Sequence, residues 1–141
     1  MQTHFNYIEW RDIEGLHEDT MNSLSDLTFL RDELFFLKTL VAEHTLQLIY
    51  GKDPVESNVI FNQLTDQSKQ LEKLIKNLNT HKNKLQLLLD NDDVPGELRE
   101  YKDEHYQLMV EELDFHATVK KTKRNIFKML TALMKTSKEK K

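Results

Sequence analysis

Apolar residues recur at alternating steps of three and four along most of this chain, and that period restricts the fold more than any other feature. One series runs Leu27, Leu30, Leu34, Leu37, Val41, His44, Leu48, and a second runs Ile60, Leu64, Gln67, Leu71, Leu74, Leu78, His81, Leu85, Leu88. A third runs Leu98, Tyr101, His105, Leu108, Glu112, Phe115, Val119, Thr122, Ile126, Met129, Leu133. Steps of three and four draw one stripe along an α-helix, whereas a strand facing a core needs a period of two. Sustained this long, the pattern is a coiled-coil-like seam. With 3 Gly and 2 Pro in 141 residues, the chain lacks the turn formers of a many-stranded fold. It reads as all-α.

Two punctuation signals cut the pattern. Gly51 reads as a helix C′ residue, followed by Asp53 as N-cap, Pro54 at the first helical position and Glu56 two residues later. The run Asp92-Asp93-Val94-Pro95-Gly96-Glu97 repeats that logic, with acids at the positive end of a helix dipole. The spacing predicts helix A over 20–50, helix B over 54–90 and helix C over 95–137, with 138–141 a frayed basic tail. Short connections make the three antiparallel in an up-down-up bundle, a single domain over 1–141 about 50 Å long at about 1.5 Å per residue. Residues 1–17, with Phe5, Tyr7, Ile8, Trp10 and Ile13 ahead of Gly15, form an aromatic segment expected to pack on the bundle as an arm or a fourth short helix.

Helix A carries more apolar surface than one seam uses. Phe29, Phe36 and Leu40 lie on a second stripe, and Phe35 widens the first; helix C has its own in Tyr106, Met109 and Leu113, then Phe127, Leu130 and Met134. Stripes of this kind mark an interface when nothing in the chain covers them. The expectation is a homodimer whose interface uses Phe29, Phe36, Leu40, Tyr106, Met109 and Leu113.

Polar side chains interrupt the seams. If the turns centre near residues 52 and 93, residues at one level on A and B sum to about 104, and on B and C to about 186. His81 then lies level with His105, near Ser23 to Asp26. Imidazoles and carboxylates converging in a bundle are the raw material of a transition-metal site, here His81 and His105 with Asp26 or Glu104. The competing reading is a polar layer that sets helix register, with Arg31 in reach of Glu112. Two-metal carboxylate bundles repeat Glu-x-x-His on paired helices; this chain has that spacing only at Glu14–His17, and no His-x-x-x-His pair. With no cysteine, thiolate sites and disulfides are excluded. The spacing therefore favours the register role, without a cofactor.

Catalytic apparatus is not visible: Asp103-Glu104-His105 and Glu111-Glu112 diverge around a helix, and no Gly-rich phosphate loop occurs. The expectation is a non-enzyme. Charge is uneven within a net of -4: residues 97–114 hold 2 basic and 7 acidic groups, and residues 115–141 hold 9 and 1. Lys120, Lys121, Lys123, Arg124 and Lys128 form a candidate anion-binding set for nucleic acid, an anionic membrane surface or an acidic protein groove. A sequence pI of about 5.9 argues against nucleic acid, and the use of Ile126, Met129 and Leu133 in the seam argues against a membrane. Lysines near a helix C-terminus also favour the helix dipole without binding anything. Lacking a signal-peptide pattern or an apolar run of about 18 residues, the chain is expected to be soluble and cytoplasmic. Together these features predict a helical interaction or scaffolding module that self-associates or meets an unidentified protein partner, with a metal-binding bundle and an anion-binding surface as the alternatives.

Overall fold

The computed structural model describes residues 12–44, 54–90 and 95–139, with side chains over 12–44, 58–90 and 97–135. The fold is an all-α bundle of three long helices, α1 (Ile13–Glu43), α2 (Pro54–Asp90) and α3 (Pro95–Glu139), with no strand among the described residues. Both α2 and α3 begin at the prolines expected to open them, whose missing N–H is one of the donors a first turn leaves unpaired anyway. The expected end of helix B is also the end of α2, and α3 runs two residues past the expected end of helix C.

Helix α1 departs from expectation at its start. It begins at Ile13, not residue 20, because Asp12 caps it: the Gly15 N–H donates to Asp12 Oδ1 at 2.7 Å and the Leu16 N–H to the Asp12 carbonyl at 2.9 Å. Gly15, expected to end the aromatic segment, is instead a buried residue of the first turn. The seam then extends upstream in unbroken register through Leu16, Thr20 and Ser23. At its far end α1 stops at Glu43; His44 donates its N–H to the Val41 carbonyl at 3.2 Å and bonds the Leu40 carbonyl through Nδ1 at 2.9 Å. His44 thus closes a helix end by covering carbonyls the helix leaves unpaired. The cluster Phe5, Tyr7, Ile8 and Trp10, the Leu48, Gly51 and Asp53 readings, and Asp92 to Val94 lie outside the described residues.

The chain groups into two compact units, Met1–Phe29 with Leu71–Phe115, and Leu30–Gln70 with His116–Lys141. Every helix contributes to both. In the first unit Leu16, Leu27, Leu71, Leu78, Leu85, Leu108 and Phe115 are buried, and Leu88, Tyr106 and Met109 pack against the cluster of Leu16, Leu85 and Tyr101. There, position 81 of α2 meets 105 of α3 and Leu85 packs with Tyr101, so these helices are antiparallel. Asp19 meets His105 and Ser23 meets Glu112, so α1 and α3 run the same way. This is the up-down-up arrangement.

In the second unit the buried apolar set is Leu30, Leu34, Leu37, Val41, Ile60, Leu64, Val119, Ile126 and Leu130. Leu130 was expected on the outer stripe of helix C. It is core instead, while Met129 and Leu133 are only half-buried, because a 3.5-residue repeat drifts about 20° per heptad on a 3.6-residue helix. Two successive steps of four, Thr122 to Ile126 to Leu130, take up that drift.

Gln67 and Thr122 form a polar contact inside this unit, Nε2 donating to Oγ1 at 2.8 Å, while Gln67 Oε1 is buried with no hydrogen-bond partner among the described residues. Thr122 also donates to the Thr118 carbonyl at 3.3 Å and keeps that bond without Gln67. Gln67→Leu should therefore raise unfolding free energy by about 1 kcal/mol, since it removes an unsatisfied buried acceptor and adds apolar packing. Leu64→Ala, at a fully buried position, should lower it by about 2–5 kcal/mol. Urea denaturation monitored by helical circular dichroism reads both, and a destabilised Gln67→Leu would show that the amide is fully satisfied.

Candidate functional site: a buried histidine layer

Alternation of three and four places His81 of α2 and His105 of α3 on the seam, and antiparallel packing brings them to one level of the first unit. Both side chains are 0% exposed. His81 Nε2 lies 2.9 Å from His105 Nδ1. The outer nitrogens each meet a carboxylate: His81 Nδ1 with Glu104 Oε1 at 2.8 Å, and His105 Nε2 with Asp19 Oδ2 at 3.2 Å. The second Glu104 oxygen accepts from Lys84 Nζ at 2.8 Å. The result is a continuous chain from Asp19 through both imidazoles and Glu104 to Lys84.

One face of that chain is closed by an aromatic ring. Tyr101, one turn before His105, stacks on His81 with centroids 3.9 Å apart and planes 6° from parallel. Burial pushes the Tyr101 phenol above its ordinary value, and its buried hydroxyl has no hydrogen-bond partner among the described residues. One turn further along α3 from Leu108, Glu112 accepts a hydrogen bond from Ser23 Oγ at 2.8 Å. Thr20 donates to the Leu16 carbonyl at 3.0 Å. Thr20, Ser23, His81, His105 and Glu112 are thus each bonded to another side chain or to backbone.

Burial lowers the pKa of His81, more than the Glu104 hydrogen bond raises it, and the nearby His105 adds to the lowering. For Glu104, burial works upward, but hydrogen bonds from Lys84 and His81 outweigh it and hold the carboxyl below its usual range. Glu104 is therefore a carboxylate that accepts, and the His81 nitrogen facing it carries a proton.

His81, His105 and Glu104 are brought together as expected, whereas Asp26 is exposed two turns beyond Asp19, about 10 Å along the axis. The α1 carboxylate of this layer is Asp19. Residues 19 and 81 sum to 100 against the 104 expected, an error of one helical turn. The inner ring nitrogens face each other at 2.9 Å, while two zinc–nitrogen bonds of about 2.0 Å at a tetrahedral angle would hold them about 3.3 Å apart with both lone pairs aimed at the ion. The outer nitrogens are taken by carboxylates, and no group of three or more His, Cys, Asp or Glu among the described residues could hold a metal ion.

The second candidate set lies on α3 in the other unit. Lys120, Lys123, Arg124 and Lys128 line one open groove around Phe127; Lys121 is exposed and not part of it. Lys123 Nζ is bridged to Glu33 Oε1 at 2.7 Å. Of the side chains expected at an interface, Phe29, Phe36 and Leu113 are exposed, Leu40 is half-buried, and Tyr106 and Met109 pack inside the first unit. No helix among the described residues is long and apolar enough to cross a membrane. No protein-family model, curated protein or solved structure matches this chain.

Removing one member of a buried bonded set leaves its partners stranded, whereas replacing the linked pair does not. His81→Leu should cost about 1–3 kcal/mol by leaving His105 Nδ1 without a partner, and adding His105→Leu should recover a large part of that loss. Denaturant titrations of the two single and the double variants check this; additive losses would show that the imidazoles are not coupled. A carboxyl held below its unfolded value stabilises the fold above that value and stops doing so as pH falls through its own. Thermal midpoints measured from pH 6 down to pH 3 should accordingly decline less steeply in Glu104→Gln than in the parent chain.

Proposed function

We propose that this small helical bundle is a non-enzymatic interaction module that acts through its surface and self-associates as a homodimer. The observation that carries this reading is the exposure of phenylalanine on α1: Phe29, in the first unit, is 79% exposed, and Phe35 and Phe36, in the second, are 73% and 58% exposed. Isolated exposed leucines are ordinary on a soluble helix, but phenylalanine is a poor solvent-facing residue, and full burial of one such side chain is worth roughly 1.5–3 kcal/mol. Several rings buried symmetrically in two chains can offset the loss of translational and rotational freedom on association. Leu113 on α3, 58% exposed, is a further contact position.

Nothing in the histidine layer resembles a reaction site, which supports the non-enzymatic reading. Both imidazoles are fully buried, His81 under the ring of Tyr101, and their nitrogens are engaged with each other and with carboxylates. A general base must reach the proton it abstracts. The layer serves the fold, and the surface serves the partner.

Sedimentation equilibrium over about 1–100 µM should report a dimer for the parent chain, and a monomer with unchanged helical circular dichroism for the Phe35→Ser, Phe36→Ser variant. A parent chain that stays monomeric throughout that range would sink the self-association reading.

A further inference from the structure

The histidine layer contains more hydrogen bonds than two neutral imidazoles can supply with protons. Three bonds run in series, Glu104 to His81 at 2.8 Å, His81 to His105 at 2.9 Å and His105 to Asp19 at 3.2 Å. Each needs one proton between its heavy atoms. A neutral imidazole carries one ring proton and an ionised carboxylate carries none, so two neutral histidines between two carboxylates bring two protons to three bonds. With those protons facing the carboxylates, His81 Nε2 and His105 Nδ1 would meet as opposed lone pairs at 2.9 Å with no solvent access. Moving the His105 proton to Nδ1 restores that bond but sets the bare Nε2 against Asp19 Oδ2 at 3.2 Å. Either arrangement opposes two acceptors and leaves them unsatisfied.

We infer that His81 and His105 form a buried binding site for one additional proton, held as an imidazolium at His105 that donates to Asp19 on one side and to neutral His81 on the other. His81 then donates through Nδ1 to Glu104 and accepts through Nε2, using both ring nitrogens. Every bond in the series has its proton.

Charge points the same way. The groups facing the pair are Asp19 from α1, Lys84 from α2, and Glu104 and the ring of Tyr101 from α3. Asp19 and Glu104 set a carboxylate at each end of the pair, at 3.2 and 2.8 Å, and an opposite charge at that distance favours the charged form of an imidazole. The lowered pKa of His81, from burial and from the neighbouring His105, fits its place as the neutral member.

Proton linkage gives this site an observable sign. A free imidazole loses its proton near pH 6.5. Above that, a folded chain that keeps the proton binds one more than the unfolded chain, so the unfolding constant should rise about tenfold per pH unit until the site empties. Below about pH 6.5 a second proton is available, but His81 in its buried setting resists it, so stability should fall on the acid side as well. The stability maximum lies where the pair holds one proton.

The test is long-range proton–nitrogen NMR on the full, uniformly labelled chain at pH 7.5, with its 6 histidines assigned. The expected result is protons on both ring nitrogens of His105, the Nδ1–H tautomer at His81, and a slowly exchanging ring proton between them. Two neutral imidazoles, or two charged ones, at that pH would overturn the inference. Urea unfolding between pH 7 and 9 supplies a second reading: the parent's tenfold-per-unit dependence should be lost in His105→Gln. If that variant does not fold, the spectrum of the parent chain decides alone.

Discussion

An isolated helix cannot hide its own apolar stripe from water, and that constraint organises everything else in this protein. Buried leucine, isoleucine and valine at alternating steps of three and four supply most of the driving force in each unit, at roughly 25 cal/mol per Å² of apolar surface covered. That force is indifferent to register. Leucine against leucine packs almost as well after a slip of one turn, so a purely aliphatic seam specifies a bundle without specifying which residues meet.

Polar seam residues remove that degeneracy in the first unit. Asp19 must find His105, Ser23 must find Glu112, and His81 must find both His105 and Glu104. A one-turn slip of any helix would leave several of these buried groups unsatisfied, each at a cost of about 1–3 kcal/mol. The layer therefore contributes little net stability relative to leucine but opposes every misregistered alternative. In the second unit Gln67 and Thr122 do this less completely, since one amide oxygen is left over.

Much of this architecture was legible in the residues. The start of α2 and α3 at proline and the pairing of His81 with His105 follow from capping chemistry and antiparallel counting, and the structure agrees with both. The start of α1 was hidden because Gly15 looks like a breaker, although the seam continues through it as Leu16, Thr20 and Ser23; only the Asp12 cap shows why the helix tolerates it. Asp19 was hidden for a different reason. It is not itself a seam residue, and a count of levels that is off by one helical turn passes over it.

The same series of bonds explains why histidine, and not another polar residue, occupies these two positions. An asparagine or glutamine pair could bond across the seam but would bring no positive charge to the carboxylates of Asp19 and Glu104. A lysine would bring the charge but, having no acceptor, could not pass the hydrogen bond along the series. Imidazole alone among the common side chains can both donate and accept along one line and take up a charge near neutral pH. Two of them in series connect a carboxylate on α1 to a carboxylate on α3 through the core, tying α2 between them. In this structure the proton is thus a component of helix pairing, because withdrawing it sets two acceptors against each other at one of the contacts, between α2 and α3 at 2.9 Å or between α3 and α1 at 3.2 Å.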